Sequence, residues 1–253
     1  MTDTNNNENK IYLEGIISLN AALDSEKRKI YNVYIDKEKF AKRDRKITHL
    51  VSRLKKMSVP YTLCDRKQID ALSSGSSHGG VISDVSDIPY SDLSDLLSKM
   101  NVGEYAVMLD GVEDPFNFGY SIRNLYAVGG KFFIIPKRNW MSASNVVATS
   151  SAGASELCSM AVIESDEDLV KALKEKHIDI VCSALSSSSN PIFEFSPKAP
   201  FVLFIGGEKR GISKVFMENA DHIIHIPYSN DNAKYSLPTA SCAAIFGSYL
   251  SNL

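Results

Sequence analysis

Five short runs of nearly unbroken apolar residues, Tyr105–Leu109, Phe132–Ile135, Ile178–Cys182, Phe201–Ile205 and Ile223–Ile226, constrain this chain more than any other feature. A strand with one wet face alternates apolar and polar residues. A run apolar at nearly every position belongs to a strand covered on both faces, the condition of parallel strands flanked by crossover helices. Helical patterns at Tyr120–Ala127, stopped by Gly129 and Gly130, and at Thr239–Leu250 fit the same arrangement. The second part of the chain therefore reads as α/β with a parallel sheet.

The first part alternates on a smaller scale. A helical pattern at Ser18–Leu23 precedes a strand-like Ile30–Ile35, a basic helical stretch from Ile47 to Met57, a short strand at Tyr61–Cys64 and, after the turn SSGSSHGG, the apolar Val81–Val85. The connection SDIPYSDLSDLLSKM carries one short helix and marks a domain boundary between Asp84 and Met100. The resulting division is a disordered tail over 1–9, a small α/β domain over 10–85, a linker over 86–100 and a larger α/β domain over 101–253.

Charge and cysteines exclude several classes. No run of about 18 apolar residues is present, so a membrane span is not expected and a cytoplasmic protein is the default. Cys64, Cys158, Cys182 and Cys242 stand alone rather than in the close pairs of a metal or redox site, and read as small buried hydrophobes; no metal is expected. A net charge of −2 argues against indiscriminate coating of nucleic acid. The average conceals a basic stretch, Lys37, Lys39, Lys42, Arg43, Arg45, Lys46, Arg53, Lys55 and Lys56, opposed in that stretch only by Glu38 and Asp44. It reads either as a solvated helix face or as a surface that meets phosphate.

Neither a G-x-G-x-x-G turn nor a Walker-type phosphate loop occurs, which removes the best evidence for dinucleotide binding or P-loop chemistry. Three loops remain, each following an apolar run, where open α/β sheets bind ligands. In DPFNFGYSIRNL, Asn117 and Gly119 are placed in the strand-to-helix turn, with Arg123 about one helical turn further on. FIGGEKRGIS supplies Glu208 between glycines and a helix start capped by Ser213. IPYSNDNAKYSLPTAS brings Ser236, Pro238 and Thr239 to the start of the last helix, with Pro238 suited to a first helical position. Each loop alone is equally well a plain turn and cap.

Together, in this order, the three loops closely resemble the signature motifs of the SpoU/TrmH family of SPOUT methyltransferases. Asp114, Pro115, Asn117, Gly119 and Arg123 match D-P-x-N-x-G-x-x-x-R; Gly206, Glu208 and Gly211 match G-x-E-x-x-G; Ile226, Pro227, Ser236 and Leu237 match I-P…S-L-N, with Pro238 in place of the asparagine. The segment Ser150–Glu156 is similar to the family's S-A-G-A segment. Gly15, Ile30–Ile35 and His78–Val85 echo the ribosomal-protein-like RNA-binding domain that many members carry.

The resemblance implies a deep trefoil knot in the second domain and S-adenosylmethionine as cofactor, held by Ser183, Gly206, Ile226 and Leu237. It implies methyl transfer to a ribose 2′-hydroxyl, with Asn117, Arg123, Glu208 and Ser236 as catalytic residues. A guanidinium is an awkward base, so Arg123 is assigned to phosphate and to developing negative charge. It further implies RNA as partner, ribosomal rather than transfer RNA, and a homodimer through the catalytic domain, with the small residues Ala240, Ala243, Ala244 and Gly247 of the last helix allowing close approach to a second copy. Pro238 leaves one alternative open, an RNA-binding protein that kept the fold with weak or lost activity.

Overall fold

All five apolar runs become strands of one sheet. The computed structural model describes residues 10–73, 75, 78–101, 103–137, 143–229 and 236–253; the expected tail over 1–9 lies outside them. The chain divides into two compact units at Pro89 and Tyr90.

The first unit contains β1 (Ile11–Glu14), α1 (Ile16–Ser25), β2 (Ile30–Asp36), α2 (Lys37–Ala41), α3 (Arg45–Lys56), β3 (Tyr61–Cys64), α4 (Arg66–Leu72) and β4 (Val81–Val85). Its sheet has the order β1-β4-β2-β3, parallel only between β2 and β3. Asp44 starts α3 by accepting from the amides of Lys46 and Ile47. Ile47, Leu50, Val51 and Leu54, at helical spacing, are buried and pack with Val33, Ile35 and Val81. The cations of the basic stretch are exposed except Lys39 and Arg53, which are half-buried. Four have partners within the unit: Lys37 with Asp65 at 2.6 Å, Lys42 with Glu38 at 3.8 Å, Arg53 with Asp24 at 2.5 Å, and Lys39 with the Gly79 carbonyl at 2.7 Å. Buried His78 accepts the Gly80 amide at Nδ1 (3.2 Å), which places its proton on Nε2 against Asp70 (2.9 Å).

The second unit contains α5 (Leu93–Ser98), β5 (Tyr105–Asp110), α6 (Pro115–Ala127), β6 (Phe132–Pro136), α7 (Ser144–Ser150), α8 (Ala154–Leu157), β7 (Ser159–Ile163), α9 (Asp166–Glu175), β8 (Asp179–Ser183), β9 (Asn190–Pro191), β10 (Phe201–Gly206), α10 (Lys214–Glu218), β11 (His222–His225) and α11 (Thr239–Leu250). All of its strand pairs are parallel, in the order β7-β6-β5-β10-β8-β11-β9. One apolar layer lies on each face of the sheet: Phe118, Ile122, Leu125, Ala243 and Phe246 belong to the first, and Leu169, Leu173 and Phe216 to the second. Within the expected linker, Leu96, Leu97 and Met100 are buried in the second layer, so this stretch contributes to the core.

Two of the small residues of α11, Ala243 and Gly247, are spent on packing within the chain. Gly247 packs on α6 of the same chain, where an added Cβ would stand 2.7 Å from a Val128 methyl and 3.1 Å from Leu125. Ala243 is likewise buried within the unit. Close helix approach is thus used internally, while Ala240, Ala244 and Ile245 stay half-buried.

Candidate functional site

The C-terminal ends of β5, β8, β10 and β11 converge on three loops, as parallel-sheet geometry requires. After β5 the chain turns through Gly111, in the left-handed region at φ 69°. Asp114 then caps α6 by accepting the Phe116 amide at 3.0 Å, and Pro115 takes the first helical position. The helix therefore begins five residues before Tyr120. The sequence expectation that Asn117 and Gly119 lie in the turn is corrected: both are helical, because capping and proline preference outweigh the helix-weakening glycine. Gly119 faces Ser150, where an added Cβ would overlap the Ser150 hydroxyl.

The second loop is closed on itself. Gly207 donates to the Asp110 carbonyl (2.7 Å), Gly211 donates to the Gly207 carbonyl (2.9 Å), and an added Cβ at Gly206 would lie 2.8 Å from the Gly211 carbonyl carbon. Gly211 itself has φ 67°. Ser213 does not cap α10 with its side chain as the sequence reading had it. Its hydroxyl is buried with no hydrogen-bond partner among the described residues, and its amide donates to the Asp110 carboxylate at 2.6 Å. Asp110, buried at the strand end, thus anchors the loop through both its carbonyl and its carboxylate. Sequence reasoning passed over it, although a charged residue ending an apolar run was a signal.

The third loop returns to the first two. Thr239 donates its hydroxyl to the Gly206 carbonyl (3.2 Å), and the Leu237 amide donates to the Tyr228 hydroxyl (3.3 Å). Pro238 is the residue before the helix rather than its first residue, since its φ of −56° and ψ of 148° are not helical. The interior of this loop, 230–235, lies outside the described residues.

Ser183, Gly206, Ile226 and Leu237, the expected cofactor residues, all line one cleft of roughly 500 Å³, within the range of small-molecule sites. Ile205, Met217 and Phe246 supply apolar surface; Ser236 and Glu208 supply polar groups. Glu208 also borders an adjoining cavity of roughly 280 Å³ that Asn117 and Thr239 line. Of the four expected catalytic residues, Asn117 and Ser236 thus line adjoining cavities that share Glu208. Arg123 does not join them. It lies on the exposed face of α6, lines neither cavity, and makes no ion pair with Glu208 among the described residues. On the same stripe Phe116 is 52% and Tyr120 45% exposed.

Two thiols report the local environment. Burial pushes Cys242, which lines the cleft, above its ordinary pKa. Burial first, then the carboxylates of Asp110 and Asp221, push Cys182 up to about 12. Cys64 and Cys158 are buried too, so three cysteines match the expected small buried hydrophobes and Cys242 is only partly so. Among the described residues no cluster of His, Cys, Asp and Glu could hold a metal, and no helix is long and apolar enough to cross a membrane.

Comparison with known proteins gives a match to the SpoU rRNA Methylase family over residues 104–247, and to the domain described as RNA 2′-O ribose methyltransferase substrate binding over residues 12–91. The 23S rRNA (guanosine-2′-O-)-methyltransferase RlmB of Blochmanniella floridana is 28% identical over 236 residues, covering 92% of this chain and 91% of the relative. The RlmB of Shewanella oneidensis is 25% identical over 235 residues, 92% of this chain and 94% of its own. Among solved structures, an AdoMet-bound rRNA methyltransferase from Sinorhizobium meliloti aligns with a TM-score of 0.78 at 20% identity, covering 96% of this chain and 87% of that one. The SpoU methyltransferase AviRb from Streptomyces viridochromogenes, in complex with AdoMet, aligns at 0.78 with 17% identity, covering 98% and 93%. At these identities the structural likeness carries the fold.

Proposed function

The chain belongs to the SpoU rRNA methylase family, and from that premise we propose that it is an S-adenosylmethionine-dependent methyltransferase acting on a ribose 2′-hydroxyl of ribosomal RNA. The observation that carries the reading is the convergence of Ser183, Gly206, Ile226 and Leu237 on one cleft beside Asn117 and Glu208. The cleft fits the cofactor. Ile205, Met217 and Phe246 offer apolar contact to the base, and Ser183, Glu208 and Ser236 offer polar groups to the rest of the cofactor. When bound, S-adenosylmethionine supplies an electrophilic methyl group.

The remaining chemistry falls to side chains. A ribose hydroxyl attacks only if its proton leaves and the developing charge is held. In this reading Arg123 binds the neighbouring phosphate and that charge, Asn117 orients the ribose, Glu208 steers Arg123, and Ser236 completes the polar wall. A homodimer through the catalytic domain reconciles these roles with the placement of Arg123. A second copy covering the stripe of Phe116, Tyr120 and Arg123 carries the guanidinium out of solvent and towards a cleft.

The first unit, matched as substrate binding, receives the RNA. The guanosine named for the RlmB relatives is the proposed target nucleotide. The trefoil knot belongs to the reading as well, supported by the return of α11 onto β10 through Thr239 and Gly206. The reading takes the protein to be cytoplasmic, in keeping with a ribosomal RNA substrate. Pro238 is compatible with activity because it preserves the start of α11.

Two measurements test this. Calorimetric titration with S-adenosylmethionine is expected to give one site per chain. Mass mapping of ribosomal RNA from a strain lacking the protein is expected to show one unmethylated ribose that the restored gene remethylates. Donor binding with no missing methyl group would favour an RNA-binding protein without turnover.

A further inference from the structure

His225, the last residue of β11, lines the cofactor cleft, and neither the motifs nor the comparisons give it a role. Its Nδ1 lies 3.0 Å from the Ser189 hydroxyl oxygen. That oxygen is already committed. Ser189 donates its single hydroxyl proton to the Ser186 carbonyl (2.8 Å) and accepts the Ser186 amide (3.0 Å). Having no second proton to give, Ser189 can only accept from the imidazole. The proton of a neutral His225 therefore sits on Nδ1, and Nε2 is left with a lone pair and no hydrogen-bond partner among the described residues.

The turn of residues 186–189 is held to the sheet, since Asn190 and Pro191 follow it directly and pair with Ile224 and His225. Ser189, immediately before β9, and His225, the last residue of β11, are thus held in fixed register. We propose that His225 is a donor-binding residue whose Nε2, oriented by Ser189, accepts an N–H or O–H from the adenosine half of S-adenosylmethionine. The inference rests on the cofactor reading above. The adenosine offers two such sources, its ribose hydroxyls and its amino group. A neutral imidazole also suits the cleft chemically, because a sulfonium cofactor is poorly matched to a second positive charge. Ser189 acts only through His225 and is a positioning residue.

The experiment uses the full chain and S-adenosylhomocysteine as probe. Nitrogen-15 NMR of the imidazoles is expected to show His225 protonated at Nδ1 and bare at Nε2, with the Nε2 signal moving on addition of the probe; Ser189→Ala is expected to mix the tautomers. By calorimetry, His225→Phe is expected to weaken the probe roughly three- to tenfold, the range of one neutral hydrogen bond. His225→Gln, whose amide oxygen can accept, should recover part of the loss. Probes lacking the ribose hydroxyls, or with inosine for adenosine, distinguish the two sources: the one that removes the contacted group should bind the wild type less well and His225→Phe no worse. A proton on Nε2, or equal affinity of wild type and His225→Phe, overturns the inference alone. No binding of the probe by the wild type overturns the cofactor reading and this inference with it.

Discussion

Gly119 and Ser150 touch so closely that the helices carrying them can meet only because residue 119 has no side chain. An added Cβ would overlap the Ser150 hydroxyl and stand 3.0 Å from its Cβ, while that hydroxyl is already spent on the Val146 carbonyl at 2.7 Å. The glycine of the first motif is therefore a packing residue that seats α6, and with it Asn117 and Arg123, against the segment matching S-A-G-A. Gly119→Ala should cost about 2 to 3 kcal/mol by overpacking despite alanine's better helix propensity. Thermal unfolding should show it as a drop of roughly 5–10 °C. Adding Ser150→Ala, which deletes the overlapped oxygen, should restore part of the loss; an unchanged Tm in Gly119→Ala would refute the packing role.

Arg123→Ala should separate turnover from donor binding. The residue lines neither cavity, so affinity for S-adenosylmethionine should stay within about twofold, while loss of one charge-stabilising group should lower kcat by roughly 100-fold or more. Single-turnover methylation beside calorimetry checks both halves. Near-normal turnover would remove Arg123 from the chemistry.

Phe116→Lys combined with Tyr120→Lys tests the proposed second copy. The two rings are about half exposed on the stripe that carries Arg123, and charge at the centre of an interface is strongly unfavourable. Light scattering should show the wild type at twice the 27.9 kDa of one chain and the variant at one. The variant should bind donor and fail to methylate. A wild type that scatters as a single chain would refute the dimer.

Lys42→Glu, Arg43→Glu and Lys46→Glu together should weaken RNA binding and flatten its salt dependence, by about one unit of slope for each phosphate that is no longer neutralised. All three are exposed, and among the described residues the Lys42 ammonium is engaged only by a loose pair with Glu38. Arg53→Ala is the control. It is tied to Asn20 and Asp24 inside the domain, so its loss should act on stability and leave the salt slope alone. Filter binding of an rRNA fragment over a salt series measures this.

Alkaline pH should destabilise the protein partly through Cys182. Its thiol stays protonated in the fold up to about 12, against an ordinary value of 9.0. Between those values the unfolded chain has lost a proton that the folded chain keeps, so stability falls as pH rises, by at most about 1.4 kcal/mol per pH unit for one group. Denaturant midpoints between pH 8 and 11 should fall less steeply in Cys182→Ala than in the wild type, whatever the variant's lower starting stability.

Local chemistry settled much of this protein before any tertiary contact formed. Apolar runs specified five of the seven strands described in the parallel sheet, the pattern from about Thr239 to Leu250 specified α11, and Gly, Pro, Asp and Asn at fixed offsets marked the three loops that meet at the cleft. Those properties were legible because each depends on residues a few positions apart. Strand order was not, because the order β7-β6-β5-β10-β8-β11-β9 is a choice among long-range pairings that neighbouring residues do not encode. Nor were the roles of small residues: a glycine reads alike whether it makes a turn, as at Gly111, or admits a neighbour, as at Gly119 and Gly247, and only the packed partner distinguishes them. Arg123 shows the same limit at the site itself. Its spacing from Asn117 follows from the chain, but the outward face of α6 on which it stands was decided by which side of that helix the core buried.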